Sequence, residues 1–228
     1  MPVHIQNVLT PDELMECRAL LDAGQWVDGR DTAGAQAIHV KKNQQLNTKC
    51  EESTAARQII AGALSRNLLL RSVALPRMIF PPMFNRYEGG MTYGAHVDNS
   101  VQVIPDVPGQ MMRADLSATL FLTDPDDYEG GDLTLETNAG TEVIRLPAGD
   151  MIVYPTTMIH AVTPVTRGCR IASFFWIQSL VPDPSCRTLL FDLDRAIIDL
   201  SSRTEAGDPA VLSLTGTYHN LLRKWCLI

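Results

Sequence analysis

SATLFLTD (117–124), GDLTLET (131–137), TEVIRLPA (141–148), GDMIVYP (149–155) and RIASFFWIQ (170–178) follow one another with little between them. Each run is short, rich in β-branched and aromatic residues, and bounded by Gly, Pro or Asp, which is the pattern of a β-strand. MIFPPMFNRYE (78–88) has the same texture. The runs EGGD (129–132) and PAGD (147–150) mark tight turns. A series of short strands without intervening helices makes a sandwich, barrel or jelly roll. It argues against a doubly wound nucleotide-binding fold, and the chain has no G-x-G-x-x-G or Walker sequence.

Helical patterns lie on both sides of this β region. Thr10-Pro11-Asp12-Glu13 is a helix start, with a capping residue, proline at the first helical position and acids in the first turn. Leu14, Cys17, Leu20 and Leu21 continue the helix and Gly24 stops it. A second, longer helix is expected over 51–71, with Ala55, Ile59, Ile60, Ala63, Leu64 and Leu68 on one stripe. After Pro184, Leu189, Leu190, Leu193, Ile197, Ile198 and Leu200 return to helical spacing, and a last helix is expected around 212–226. The expected plan is α+β with a mainly β core: helical elements over 1–75, the β core over 76–180, and a helical appendage over 181–228.

The 228 residues carry 45% hydrophobic and 20% charged side chains, which is ordinary for a globular protein able to build its own core. A net charge of −7 gives no reason to expect nucleic acid or an anionic membrane as partner. The first twenty residues lack a basic stretch followed by an apolar one, and no apolar run approaches a membrane span. Cys17, Cys50, Cys169, Cys186 and Cys226 are scattered and odd in number, so reduced thiols and a cytoplasmic location are expected.

His96-x-Asp98 places an imidazole and a carboxylate on one face of an extended chain, because side chains i and i+2 point the same way. His160 follows the strand GDMIVYP, and a jelly roll brings such distant strands together at its mouth. Two histidines and one carboxylate occupy one face of a metal ion and leave the other open, the ligand set of non-haem Fe(II) oxygenases. A zinc or manganese hydrolase or isomerase uses similar ligands. Arg170 narrows the choice. It lies on one strand face with Ala172, Phe174 and Trp176, and a guanidinium there grips a carboxylate through two parallel hydrogen bonds.

With these residues in view, the chain resembles the bacterial PKHD-type hydroxylases among the Fe(II)/2-oxoglutarate dioxygenases. The matching segments are NRYEGGMTYGAHVDNS (85–100), SATLFLTDPDDYEGGDLTL (117–135), GDMIVYPTTMIHAVTPVTRGCRIASFFWIQS (149–179) and TYHNLLRKW (217–225). The resemblance implies a double-stranded β-helix (a jelly roll). It implies Fe(II) held by His96, Asp98 and His160, 2-oxoglutarate anchored by Arg170, and a dependence on ascorbate. Relatives often carry a hydroxyl residue where Ala172 stands, and animal prolyl hydroxylases use a tyrosine where Phe121 stands. Tyr87 is therefore the candidate second contact to 2-oxoglutarate, with Tyr93 the weaker candidate.

The reaction expected is hydroxylation of an unactivated C–H bond with release of succinate and CO₂. Asp98 favours this over halogenation, which frees that coordination position. A non-catalytic sensor of iron or 2-oxoglutarate is the remaining alternative. The stretch 99–116 is expected to be a long loop at the mouth, with Met111 and Arg113 as substrate contacts. The run KKNQQ (41–45) reads equally as mouth lining or as a solvated strand edge. His4, His39 and His219 lack ligand-type spacing. The substrate is expected to be a small molecule, as in iron uptake, or a peptide residue, and the C-terminal helices are a candidate homo-oligomer interface.

Overall fold

A computed structural model describes residues 2–32, 39–105 and 107–227. Its strands in chain order are β1 (Val3–Ile5), β2 (Trp26–Asp28), β3 (Lys41–Lys42), β4 (Gln44–Leu46), β5 (Pro76–Ile79), β6 (Met83–Glu88), β7 (Thr92–His96) and β8 (Val101–Val103). They continue with β9 (Met111–Arg113), β10 (Leu116–Phe121), β11 (Tyr128–Gly130), β12 (Leu133–Thr137), β13 (Gly140–Ile144), β14 (Met151–Pro155), β15 (His160–Val162) and β16 (Val165–Ser179). The helices are α1 (Pro11–Ala23), α2 (Glu51–Arg66), α3 (Leu68–Ala74), α4 (Pro184–Ser201) and α5 (Pro209–Trp225).

Apart from the separate pair β8–β9, the strands form the two sheets of a jelly roll. The major sheet runs β1-β14-β10-β16-β6-β4-β2, with β5 and β11 also paired to β16. The minor sheet runs β13-β12-β15-β7-β3. All described pairings are antiparallel.

Strand β10 shows how the sequence sets the layers. It is buried on both faces. Leu116, Ala118 and Leu120 join Cys17, Leu21, Ile60 and Leu64 of the N-terminal helices in the main core. Ser117, Thr119 and Phe121 point the other way, between the sheets. Strand β16 repeats the division, with Ile171, Phe175 and Ile177 in the helix-side core and Arg170, Ala172, Phe174 and Trp176 lining the cleft. A second cluster of Tyr87, Phe121, Tyr128, Leu133, Leu135, Ile152 and Tyr154 fills the space between the sheets. Helices α4 and α5 pack on α3 and the end of β16 through Leu75, Val181 and Leu190, with Leu221 and Trp225 half-buried beside them.

Helix α1 begins as expected. Thr10 Oγ1 accepts from Glu13 N, and Thr10 N donates in turn to Glu13 Oε2, a reciprocal cap. Three expectations need correction. The helix over 51–71 is two helices, because Asn67 leaves helical geometry and its side chain caps the Leu70 N–H at 2.8 Å. The N-terminal region is not only helical: it adds β1–β4 to the two sheets, and strands of two or three residues carry no readable alternation. The stretch 99–116 is not a plain loop but contains the hairpin β8–β9, turned near Gly109 and pinned inward by the buried Met112.

Candidate active site

Strand β7 ends at His96, and the chain leaves the sheet with Asp98 just beyond it. Strand β15 begins at His160, which pairs directly with His96 across the ladder. The two rings are 4.2 Å apart. His96 Nδ1 lies 2.8 Å from Gly94 O and His160 Nδ1 lies 3.0 Å from Met158 O. A carbonyl oxygen only accepts, so each Nδ1 donates and each Nε2 keeps its lone pair. Those Nε2 atoms lie 3.9 Å and 3.6 Å from Asp98 Oδ1 and Oδ2. The donor atoms all lie within 4.8 Å of one another, which fits a single ion with two imidazoles and one carboxylate.

The surroundings favour a neutral imidazole at His96. Tyr93 stacks on His96 at 3.6 Å, and Tyr154 meets His160 edge-on at 5.3 Å. Burial, then the neighbouring His160, push the His96 pKa down to about 4. Burial raises both tyrosines above their usual range, so both are neutral phenols.

Deeper in the same cleft, Arg170 is 2% exposed. Its Nε and Nη2 have no hydrogen-bond partner among the described residues. Its only partners there are ring faces, with Cζ 5.2 Å from the Phe121 centroid and 5.5 Å from that of Tyr87. A buried guanidinium with unmet donors costs several kcal/mol, so the site fits a carboxylate that enters it. The turn EGGD makes room for it. Gly131 has φ +65°, and a Cβ there would sit 3.0 Å from Arg170 Cδ and 2.7 Å from Val165.

Tyr87 is 1% exposed beside Arg170, and burial pushes its pKa up to about 12. Asn85 Nδ2 donates to Tyr87 Oη at 3.3 Å, and Gln45 Nε2 donates to Asn85 Oδ1 at 2.9 Å. Tyr87 accepts at this contact, so its own proton can point to a ligand oxygen. Tyr93 lies instead against His96. Lys41 is buried in the cleft wall with Nζ 5.3 Å above the Tyr93 ring, so the mouth-lining reading of 41–45 holds for it. Burial brings its pKa down to about 8.

Met111 and Arg113, expected as substrate contacts, do not line the cleft. Met111 is exposed on the hairpin. Arg113 is committed to Asp115 through Nε at 2.6 Å and Nη2 at 2.9 Å. Gln102, on the inner face of the same hairpin, does line the cleft. Sequence reading also passed over Ser117, Thr156 and Asn85. The inward alternation of Ser117, Thr119 and Phe121 was the available signal. His4, His39 and His219 lie outside the cleft.

A jelly roll whose mouth holds two imidazoles, a carboxylate and a buried guanidinium has the makeup of a mononuclear metal-dependent oxygenase. Comparison with known proteins agrees. The 2OG-Fe(II) oxygenase superfamily model matches residues 82–178, and the PKHD-type hydroxylase C-terminal domain model matches 185–226. A PKHD-type hydroxylase of Burkholderia lata is 52% identical over 225 residues, covering 99% of each chain. One from Gluconacetobacter diazotrophicus is 48% identical over 228 residues, covering 100% of each. Solved structures share the fold at lower identity. A Trichoplax adhaerens prolyl hydroxylase bound to a hypoxia inducible factor peptide is 18% identical, with TM-score 0.54 over 78% of this chain and 83% of that one. HygX of Streptomyces hygroscopicus, with nickel, 2-oxoglutarate and hygromycin B, is 14% identical, with TM-score 0.54 over 78% and 82%. The chain belongs to the PKHD-type hydroxylases, and it is a 2-oxoglutarate-dependent hydroxylase. No helix among the described residues is long and apolar enough to cross a membrane.

Proposed function

We propose that this enzyme hydroxylates an unactivated C–H bond, consuming 2-oxoglutarate and O₂ and releasing succinate and CO₂. In this reading His96, Asp98 and His160 hold Fe(II), and Arg170 with Tyr87 holds the distal carboxylate of 2-oxoglutarate. The observation that carries it is the buried Arg170 guanidinium, with donors unmet, opening into the cleft that holds the three metal donors.

Iron held by His96, Asp98 and His160 would supply O₂ activation, and the chain's own residues supply order. The carbonyls of Gly94 and Met158 fix both imidazole tautomers. Phe121, Tyr128, Leu133 and Ile152 keep the inner cleft dry, which strengthens the Arg170–carboxylate pairing. Gln102, Phe174 and Trp176 are half-exposed cleft residues with Lys41 buried beside them, and in this reading they meet the substrate. A small molecule, as in iron uptake, fits this mouth, and so does one side chain of a peptide entering end-on. Ascorbate would restore iron oxidised in turnovers without substrate.

Separate family matches over 82–178 and 185–226 support setting 181–228 apart from the β core, whereas 1–75 shares its strands β1–β4 with that core. Leu189 on α4 and Leu212 on α5 are exposed, which supports self-association through these helices. A single species of monomer mass in light scattering would end that part of the reading. The function itself is tested by supplying candidate small molecules and peptides with isotopically labelled O₂. One labelled oxygen in the product and one in succinate is the expected result. Succinate formed with every candidate left unmodified would place the substrate outside those classes.

A further inference from the structure

Asp98 lies past the end of β7, where no sheet ladder holds its backbone. Among the described residues its carboxylate accepts one hydrogen bond, from Ser117 Oγ to Oδ2 at 2.8 Å. Ser117 is 2% exposed on β10, between Tyr154 of β14 and Trp176 of β16. A second buried hydroxyl, Thr156 Oγ1, lies 3.1 Å from the same Ser117 Oγ. Ser117 has one proton. Once it is given to the carboxylate, which can only accept, the second contact runs from Thr156 to Ser117. The order Thr156 → Ser117 → Asp98 thus ties the free-standing carboxylate to the central strands of the major sheet. Thr156 is itself fixed by its N–H to Asp115 O at 3.2 Å.

We infer that Ser117 is a positioning residue for the metal-binding carboxylate and that Thr156 orients Ser117. The hydroxyl engages one oxygen of Asp98 and restricts rotation of the group, so that the ion meets a preset carboxylate rather than a mobile one. A hydrogen bond to a ligating carboxylate also moderates its negative charge. Partners of this kind are worth about 10- to 100-fold in metal affinity. The inference rests on the reading of His96, Asp98 and His160 as a metal site.

The test is titration with Mn(II), which does not redox-cycle and whose free form is read by electron paramagnetic resonance. Ser117→Ala should weaken Mn(II) binding by about 10- to 100-fold. Thr156→Val should weaken it in the same direction by less, and Thr156→Ser should bind as the natural protein does. Circular dichroism and thermal melting of each variant separate this from loss of fold. If Ser117→Ala does not fold, the Thr156 pair decides. Natural affinity in both Ser117→Ala and Thr156→Val would overturn the relay while leaving the metal site intact. A folded natural protein that binds no Mn(II) would overturn the metal site and the relay with it.

Discussion

His96 and His160 are direct cross-strand partners on β7 and β15, and each spends its Nδ1 proton on the carbonyl two residues before it in the chain. The pairing makes both Nε2 lone pairs converge on one point beside Asp98. Sheet register, rather than local motif, therefore builds the site: a slip of one residue would turn one ring out of the cleft. Replacing any of the three by Ala should abolish stoichiometric Mn(II) or Fe(II) binding in equilibrium dialysis and abolish succinate formation. Normal turnover in such a variant would refute the ligand assignment.

Arg170→Met exchanges the buried cation for an apolar side chain of comparable length. The loss of a buried charge-assisted pair costs about 3 kcal/mol, so the KM for 2-oxoglutarate should rise more than ~100-fold. Without 2-oxoglutarate the same variant should melt at or above the natural temperature, because it removes unmet donors from the interior. The rise in melting temperature on adding 2-oxoglutarate should vanish. A variant that still shows that rise would remove Arg170 from the cosubstrate site.

Gly131→Ala should reach Arg170 through the backbone. The residue needs φ +65°, and the added methyl would crowd Val165 and Arg170 Cδ. A cost of about 2 kcal/mol in denaturant unfolding is expected, with a raised KM for 2-oxoglutarate. Unchanged stability would show that the turn relaxes without cost.

The depressed His96 pKa makes a signed statement about acid stability. In the folded metal-free protein it titrates near 4, whereas an unfolded histidine titrates near its ordinary value of 6.5. Between these pH values the unfolded chain binds the extra proton, so stability falls as pH drops through that window and is flat above it. His96→Gln should show a shallower slope of unfolding free energy over pH 4 to 6.5 than the natural protein. Equal slopes would mean that His96 is not buried neutral.

The strand runs, the α1 cap and the His96-x-Asp98…His160…Arg170 series were legible because each leaves a local signature: alternation, a capping box, or ligand spacing. Other features depend on tertiary partners and leave none. Asn67 splits a helix that the hydrophobic stripe runs straight through. Lys41 reaches the cleft, and Gln45 meets the cleft residue Asn85, on strands too short to show a period. Arg113 sits on the predicted substrate loop, yet Asp115 two residues away takes its guanidinium. Alternation along β10 turns Ser117 inward, but its contact with Thr156, just past β14, becomes readable only once the two strands are laid side by side.

The most direct test is an anaerobic titration of the natural protein with Fe(II) and 2-oxoglutarate, followed by O₂ and an assay for succinate. The expected result is a visible charge-transfer absorption that needs both components, is lost in Arg170→Ala, and gives way to succinate when O₂ is admitted. Iron-loaded protein that shows neither absorption nor succinate would contradict the placement of iron and 2-oxoglutarate in this cleft.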